Sequence, residues 1–211
     1  MFTGIIAGTL IVADVTDIAH GRRVRLAFPG AINRLNTGDS IALNGVCTTA
    51  IDITDNGFSI ELLAETLKKT SFDRVKSGAI LNWELSATPT TALGGHLVYG
   101  HVDEVGTIVS IRANGTFNVV EVRYSAQFQP FLIRKGSICI NGISLTVVDV
   151  TPTTFTCHLI PHTSAHTVIH TQKSGDMVNL EYDIVAKYLY NFSRENTDTS
   201  LRDTLNKAGF L

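Results

Sequence analysis

The sequence predicts an all-β protein made of two copies of one small barrel, followed by a C-terminal α-helix. Three observations carry that expectation. They are an ungapped internal repeat, an Asn-Gly dipeptide between apolar runs in each copy, and an amphipathic tail with no counterpart in the first copy.

Residues 40–84 read SIALNGVCTTAIDITDNGFSIELLAETLKKTSFDRVKSGAILNWE, and residues 137–181 read SICINGISLTVVDVTPTTFTCHLIPHTSAHTVIHTQKSGDMVNLE. Overlaid, roughly a third of the positions are identical, and self-similarity at a fixed period marks a duplicated fold. Asn44-Gly45 falls on Asn141-Gly142, Thr49 on Thr146, Thr66 on Thr163 and Glu84 on Glu181. The stretch GIIAGTLIVADV from Gly4 repeats loosely as GHVDEVGTIVSI from Gly100. The junction is placed in SATPTTALGG, where Pro89 and Gly94-Gly95 suit a linker. The chain therefore divides into 1–93, 94–190 and a tail of 191–211.

Within each copy, runs rich in Val, Ile and Thr flank the Asn-Gly pair, which tolerates positive φ and so predicts a tight hairpin. Six or so short strands in about 100 residues suggest a small closed barrel. ELLAETLKKTSF predicts a short helix or turn, and Pro161 limits its counterpart HLIPHTSAHTVI to a short one at most. In the tail, SLRDTLNKAGFL puts Leu201, Leu205 and Ala208 on one helical face, with a stop near Gly209. Such an appended face is a candidate oligomer contact.

Composition narrows the function classes. With 44% hydrophobic and 17% charged residues, the 211-residue chain is that of an ordinary globular protein. A formal charge of −2 gives no general reason to expect nucleic acid or an anionic membrane as partner. No apolar run approaches the roughly eighteen residues of a membrane span, and MFTGIIAGTLIVADV reads as a strand rather than a signal peptide. Cys47, Cys139 and Cys157 are odd in number and lack CxxC spacing, so a disulfide framework or zinc site is not expected and a reducing cytoplasm is the simplest setting. His158, His162, His166 and His170 recur every fourth residue, but Pro161 and the β-branched Thr163, Thr167, Val168 and Ile169 oppose the continuous helix a metal cluster would need. GxSxG, P-loop, Rossmann and HExxH patterns do not occur.

The candidate chemistry lies at the junction and after the hairpin turns. GGHLVYGHVD, 94–103, sets His96 and His101 beside glycines that would let a ligand approach the backbone. Cys47 and Ser144 occupy matched positions after the Asn-Gly turns. Thr49 and Thr146 follow two residues on, on the same strand face. Duplicated polar faces of this kind suit two sites for one kind of ligand.

MFTGI, NGVC, GGHLVYGHVD, KGS, NGISLTVVDV, LIPHT and GDMVNLEYD, in that order, strongly resemble the riboflavin synthases across about residues 1 to 190. The chain differs from the usual pattern at Thr48 in VCTTA, Tyr99 in GHLVYGH and Trp83 in LNWE. The resemblance implies a tandem duplication of a six-stranded Greek-key barrel with a C-terminal helix, assembled as a homotrimer, with no metal, flavin or nucleotide cofactor. It implies the dismutation of two molecules of 6,7-dimethyl-8-ribityllumazine, one giving a four-carbon unit to the other. An association with lumazine synthase is open as a further partner. The runner-up reading is a carrier like the lumazine proteins of luminous bacteria, which hold the pigment without catalysis and typically erode the GGH…GH segment.

The resemblance also implies positions. The first-barrel ligand set is Gly4, Ile5, Ile6, Cys47, Thr48, Thr49 and the run Glu61, Leu62, Leu63, Ala64, Glu65, Thr66. The second is Gly100, His101, Val102, Lys135, Ser144, Leu145, Thr146 and the run Ile160, Pro161, His162, Thr163, Ser164, Ala165. The 7-methyl protons of the lumazine are acidic because the ring delocalises the carbanion. An imidazole, ordinarily titrating at about 6.5, suits the base that removes one. His101 is expected to take that proton or position the group that does, with His96 ordering the same loop. Cys47 and Ser144 are expected to activate or deliver a nucleophile, with Asp183 assisting proton traffic and Ser40 completing the reactive set.

Overall fold

The computed structural model describes residues 1–28, Ile32, 35–195 and 206–208. The first barrel holds β1 (Gly8–Ile18), β2 (Gly21–Ala27), β3 (Ser40–Leu43), β4 (Val46–Thr49), β5 (Ile51–Thr54), β6 (Gly57–Leu63), the helix α1 (Ala64–Lys69) and β7 (Ile80–Leu85). The second holds β8 (Glu104–Asn114), β9 (Phe117–Arg123), β10 (Ser137–Ile140), β11 (Ile143–Val150), β12 (Thr154–Leu159), α2 (Pro161–His166) and β13 (Met177–Tyr182), and α3 (Ile184–Glu195) follows. The second copy closes as an antiparallel barrel in the order β10-β11-β12-β9-β8-β13. The first runs β4-β3-β7-β1-β2-β6-β5. Its two outer strands, β4 and β5, are halves of one strand interrupted at Ala50. There the Ala50 N–H donates to Asp39 O, and Asp52 takes a φ of 47°. In the second copy the equivalent β11 runs through with a bulge between Val147 and Asp149. The fold is thus all-β, with two barrels of six-stranded type and a C-terminal helix, as the repeat predicts.

Period-two alternation explains the interiors. Val24 and Leu26, Ile41 and Leu43, and Phe58 and Ile60 fill the first barrel; Val120 and Val122, Ile138 and Ile140, and Phe155 and Cys157 fill the second. Phe58 and Phe155, one repeat apart, are each about fully buried, and truncating either to Ala would cost about 3–5 kcal/mol. The short helices are held to one turn or so: α2 opens with Pro161 at its start, where a missing N–H costs nothing.

The two Asn-Gly turns join the barrels. Asn44 and Asn141 have φ of 43° and 48°, and Gly45 and Gly142 have 75° and 83°, the left-handed pair a two-residue hairpin needs. The turns meet face to face: a Cβ on Gly45 would lie 2.6 Å from the Gly142 nitrogen. Around them, Asn82 Nδ2 donates to Asn141 O and Asn179 Nδ2 to Asn44 O, both at 2.9 Å. Asn82 Oδ1 accepts from Val168 N and Asn179 Oδ1 from Ser71 N. Both amides are buried and each uses its nitrogen and its oxygen, so sliding one barrel over the other would strand polar groups at about 1–3 kcal/mol each.

The helix α3 starts at Ile184, inside the stretch assigned to the second barrel, and presents Val185, Tyr188, Leu189 and Phe192 as exposed apolar side chains. Leu201, Leu205 and Gly209 of the predicted tail helix lie outside the described residues; Ala208 is described and exposed. Among the described residues, no helix is long and apolar enough to cross a membrane.

Candidate functional site

Two short segments cross between the barrels and pair with each other. Phe2 N donates to Val98 O at 2.6 Å, Val98 N returns to Phe2 O, and His96 N donates to Thr3 O. Phe2 and Val98 pack with Ala42, Cys139 and Cys47 in a small apolar cluster between the barrels. Each segment then turns through a glycine in the left-handed region, Gly4 at φ 77° and Gly100 at φ 76°. Each glycine accepts a backbone hydrogen bond from the opposite barrel: Gly4 O from Ser144 N at 2.8 Å, and Gly100 O from Cys47 N at 2.9 Å.

This crossing regroups the predicted ligand residues. Gly4–Ile6 were expected with Cys47 and Gly100–Val102 with Ser144, and the structure exchanges them. Gly4 abuts Ser144 and Ile6 packs on the second core, while Gly100 abuts Cys47 and Val102 packs on the first. The glycines also do something other than expected. A Cβ on Gly100 would lie 2.5 Å from Cys47 Cβ, and one on Gly95 would lie 2.1 Å from Thr3 O. They make room for the protein's own strands rather than for a ligand.

On the first barrel, Val46, Cys47, Leu63, Glu65, Thr66, Lys69, Thr70, Gly100, His101 and Val102 line a cavity of about 260 Å³. The His101 side chain is exposed there, its ring 6.0 Å from that of Tyr99. Thr49 shares the outward face with Cys47, and Glu61 and Ala64 are exposed beside it. Thr48 and Leu62 point the other way: both are buried, Leu62 in the core and Thr48 with its hydroxyl donated to Ile41 O. Ser40, opposite Thr49 in the β3–β4 ladder, lines a second cavity with Asp39, Glu84, Thr3 and Ile5.

On the second barrel, His96 is buried and its Nδ1 lies 2.7 Å from Ser144 Oγ. Its Nε2 is buried without a hydrogen-bond partner. Burial lowers the His96 pKa, partly offset by the nearby Asp183 carboxylate, so the ring is held neutral. A neutral imidazole carries one proton. With Nδ1 at Ser144, the buried Nε2 keeps an unused donor or acceptor capacity, set by the tautomer. Asp183 caps α3, accepting from Val185 N. Thr146 is exposed on the same strand face as Ser144, whereas Leu145 is turned into the core. Lys135 is exposed at φ 67°, in the left-handed region that Gly38 fills in the first copy. Ile160, Pro161, His162 and Ala165 are exposed on and before α2, and Thr163 and Ser164 are half-buried.

The four-residue histidine run spans three elements. His158 packs at a tilt on Phe117, the His162 and His166 rings stack 4.2 Å apart on α2, and His170 follows in a 3₁₀ turn, Val168–Thr171. Among the described residues, no group of three or more His, Cys, Asp or Glu is placed to hold a metal.

Two carboxylates that the sequence showed only as a repeat match turn out to hold the crossing segments. Glu84 Oε1 accepts from Thr3 N and Thr3 Oγ, and its Oε2 accepts from Gly4 N. Glu181 Oε1 accepts from Tyr99 N, and its Oε2 from Gly100 N and His101 N. Burial raises both carboxyls, Glu181 to about 7, against the lowering effect of those N–H donors.

A model of the lumazine binding domain family matches residues 3–86 and again 99–183, the two barrels just described. The chain is 33% identical to the riboflavin synthase of Bacillus subtilis (strain 168), over 99% of its own length and 97% of that protein's. It is 37% identical to that of Actinobacillus pleuropneumoniae, over the whole of both. The chain belongs to the riboflavin synthase family. Its fold is also that of LumP solved with 6,7-dimethyl-8-(1'-D-ribityl) lumazine, at a TM-score of 0.77 and 20% identity over 86% of this chain and 99% of that one. LumP with riboflavin superposes at 0.79 and 21% identity over the same shares. The two domain matches fall on the two repeats, with the Phe2–Val98 pairing just outside them.

Proposed function

We propose that this chain catalyses the riboflavin synthase reaction: two molecules of 6,7-dimethyl-8-ribityllumazine become riboflavin and 5-amino-6-(D-ribitylamino)uracil. The observation that carries the reading is that one short segment, 96–101, sets an imidazole at the matched Cys47 and Ser144 positions of the two repeats. His101 enters the first-barrel cavity beside Cys47, and His96 bonds Ser144 on the second. A pure carrier needs a shaped cavity but no imidazole beside a thiol or hydroxyl in each cup.

The reaction moves four carbons from one lumazine to the other, and every atom of the two substrates appears in the two products, so no oxidant or reductant is required. His101, exposed in the cavity, takes a 7-methyl proton or positions the group that does. Ser144, paired with the neutral His96, and Cys47 activate or deliver the nucleophile at the acceptor ring. Asp183 and Ser40 assist proton transfer, and Thr49, Thr66, Thr146 and Thr163 offer the same hydroxyl pattern to the same pteridine twice. Holding the rings face to face supplies much of the acceleration, since proximity alone can be worth about 7–11 kcal/mol.

A cavity of about 260 Å³ is smaller than the roughly 300–1,000 Å³ of an enclosed small-molecule site, which supports a cup completed by another copy. The reading therefore includes a homotrimer in which the first barrel of one subunit faces the second barrel of its neighbour. A cytoplasmic setting fits the unpaired thiols Cys47, Cys139 and Cys157. The test is to mix purified protein with the lumazine and follow riboflavin absorbance. One riboflavin formed per two lumazines consumed supports the enzyme, and tight binding with no conversion supports the carrier.

A further inference from the structure

We propose that Glu181, which reaches the first-barrel cup only through the backbone of residues 99–101, is the positioning residue that fixes His101 over that cup. The inference rests on the proposed reaction and extends it to a group no ligand would touch.

Glu181 lies on β13, in the second barrel, paired with Cys139 across the ladder and buried at 4% exposure. Its carboxylate accepts three successive backbone N–H groups: Tyr99 at 2.6 Å, Gly100 at 2.8 Å and His101 at 3.0 Å. Those donors converge on one acceptor only if the chain is bent back at Gly100, whose φ of 76° provides the bend. On the other side of the same peptide unit, Gly100 O accepts from Cys47 N on β4. The loop is therefore clamped between a carboxylate of one barrel and the strand edge of the other, and the His101 side chain leaves it toward the cavity. The repeat-related Glu84 does the same for Thr3 and Gly4 beside Ser144, so each barrel's carboxylate orders a segment that abuts the other barrel at Cys47 or Ser144.

The clamp works as a carboxylate. An ionised Glu181 can accept all three N–H groups. A proton on it turns an acceptor into a donor facing donors. The charged groups around it are Lys187 on α3 and Asp103 ahead of β8, with the neutral Cys139 thiol beside them; His101 itself follows on the loop. Burial pushes the carboxyl up to about 7, where this change of state falls within an accessible pH range.

The decisive comparison is wild type against Glu181→Gln, with amide hydrogen exchange of 97–103 and the pH profile of lumazine turnover as readouts. The amide keeps one acceptor oxygen and replaces the other with a donor. Exchange at 99–101 should rise by about tenfold or more, kcat should fall between about tenfold and a hundredfold with KM less affected, and the acid limb near pH 7 should disappear. Glu84→Gln should instead loosen residues 2–5 and leave exchange at 99–101 alone. If Glu181→Gln does not fold, Glu181→Asp, charged but one methylene shorter, should show the same changes in smaller measure. Unchanged exchange at 99–101, or a kcat within about twofold of wild type with its acid limb intact, would overturn the proposal. Should wild type itself not convert the lumazine, the reaction is at fault, and the exchange data still decide whether Glu181 clamps the loop.

Discussion

His96 Nδ1 and Ser144 Oγ stand 2.7 Å apart, a hydrogen bond between the interbarrel segment and the strand that follows the second Asn-Gly turn. Its partner in the first barrel is not another His–Ser bond but the exposed His101 beside Cys47. The duplicated scaffold thus carries two unlike reactive pairs. The first copy has Ile5 where the second has His101.

If the His96–Ser144 bond acts as a unit, its members should not act additively. Ser144→Ala and His96→Gln are each expected to reduce kcat/KM. The double variant should be little worse than the more damaging single one, with a coupling of about 0.5–3 kcal/mol. Steady-state kinetics on the four proteins measures it, and strict additivity would show two independent side chains.

His101→Ala should leave lumazine binding nearly intact while lowering kcat by roughly 10²–10⁴, the usual share of a general acid–base group. Fluorescence titration of the lumazine and single-turnover rates separate the two effects. Full turnover by this variant would remove His101 from the reaction.

Gly100→Ala tests the crossing geometry. The new Cβ would sit 2.5 Å from Cys47 Cβ at a φ of 76°, a conformation L side chains rarely adopt. The strain is expected to cost about 1–3 kcal/mol and to displace the segment from the first-barrel cup. A lowered denaturation midpoint together with weakened ligand binding is the expected outcome. Gly38→Ala is the gentler comparison, since nothing lies within 4 Å of that Cβ although its φ is 96°.

Much of this architecture is written in the chain because it is written twice. The Asn44-Gly45 and Asn141-Gly142 turns, the alternating cores and the short α1 and α2 follow from local rules, and the repeat aligns them. What local rules cannot supply is which barrel a crossing segment serves, because that depends on tertiary contacts such as Gly100 O to Cys47 N. The grouping of Gly4–Ile6 with Cys47 failed for that reason. Asn82 and Asn179 carried a readable signal: a polar residue, repeated at the same place, inside strands whose neighbours are apolar. Thr48, Leu62 and Leu145 belong to runs that the family resemblance implies, and strand alternation turns their side chains into the barrels.

The Glu181 carboxyl sets a stability trend with pH. Burial raises it from 4.5 to about 7, so its contribution to folding is fully present below about 4.5 and is lost as pH rises through about 7, where the folded chain must hold a buried charge. Urea denaturation at pH 5.5 and 8.5 should therefore show wild type losing stability relative to Glu181→Gln at the higher pH. A constant difference between the two proteins would contradict that shift.

The central claim is that a productive site joins the first barrel of one chain to the second barrel of another. The most direct measurement mixes two inactive variants, His101→Ala and Ser144→Ala, under conditions that exchange subunits, and assays riboflavin formation from the lumazine. Recovery of activity in the mixture, absent from either parent, is the predicted result. A mixture as inactive as its parents, with exchange verified by mass, would contradict the account.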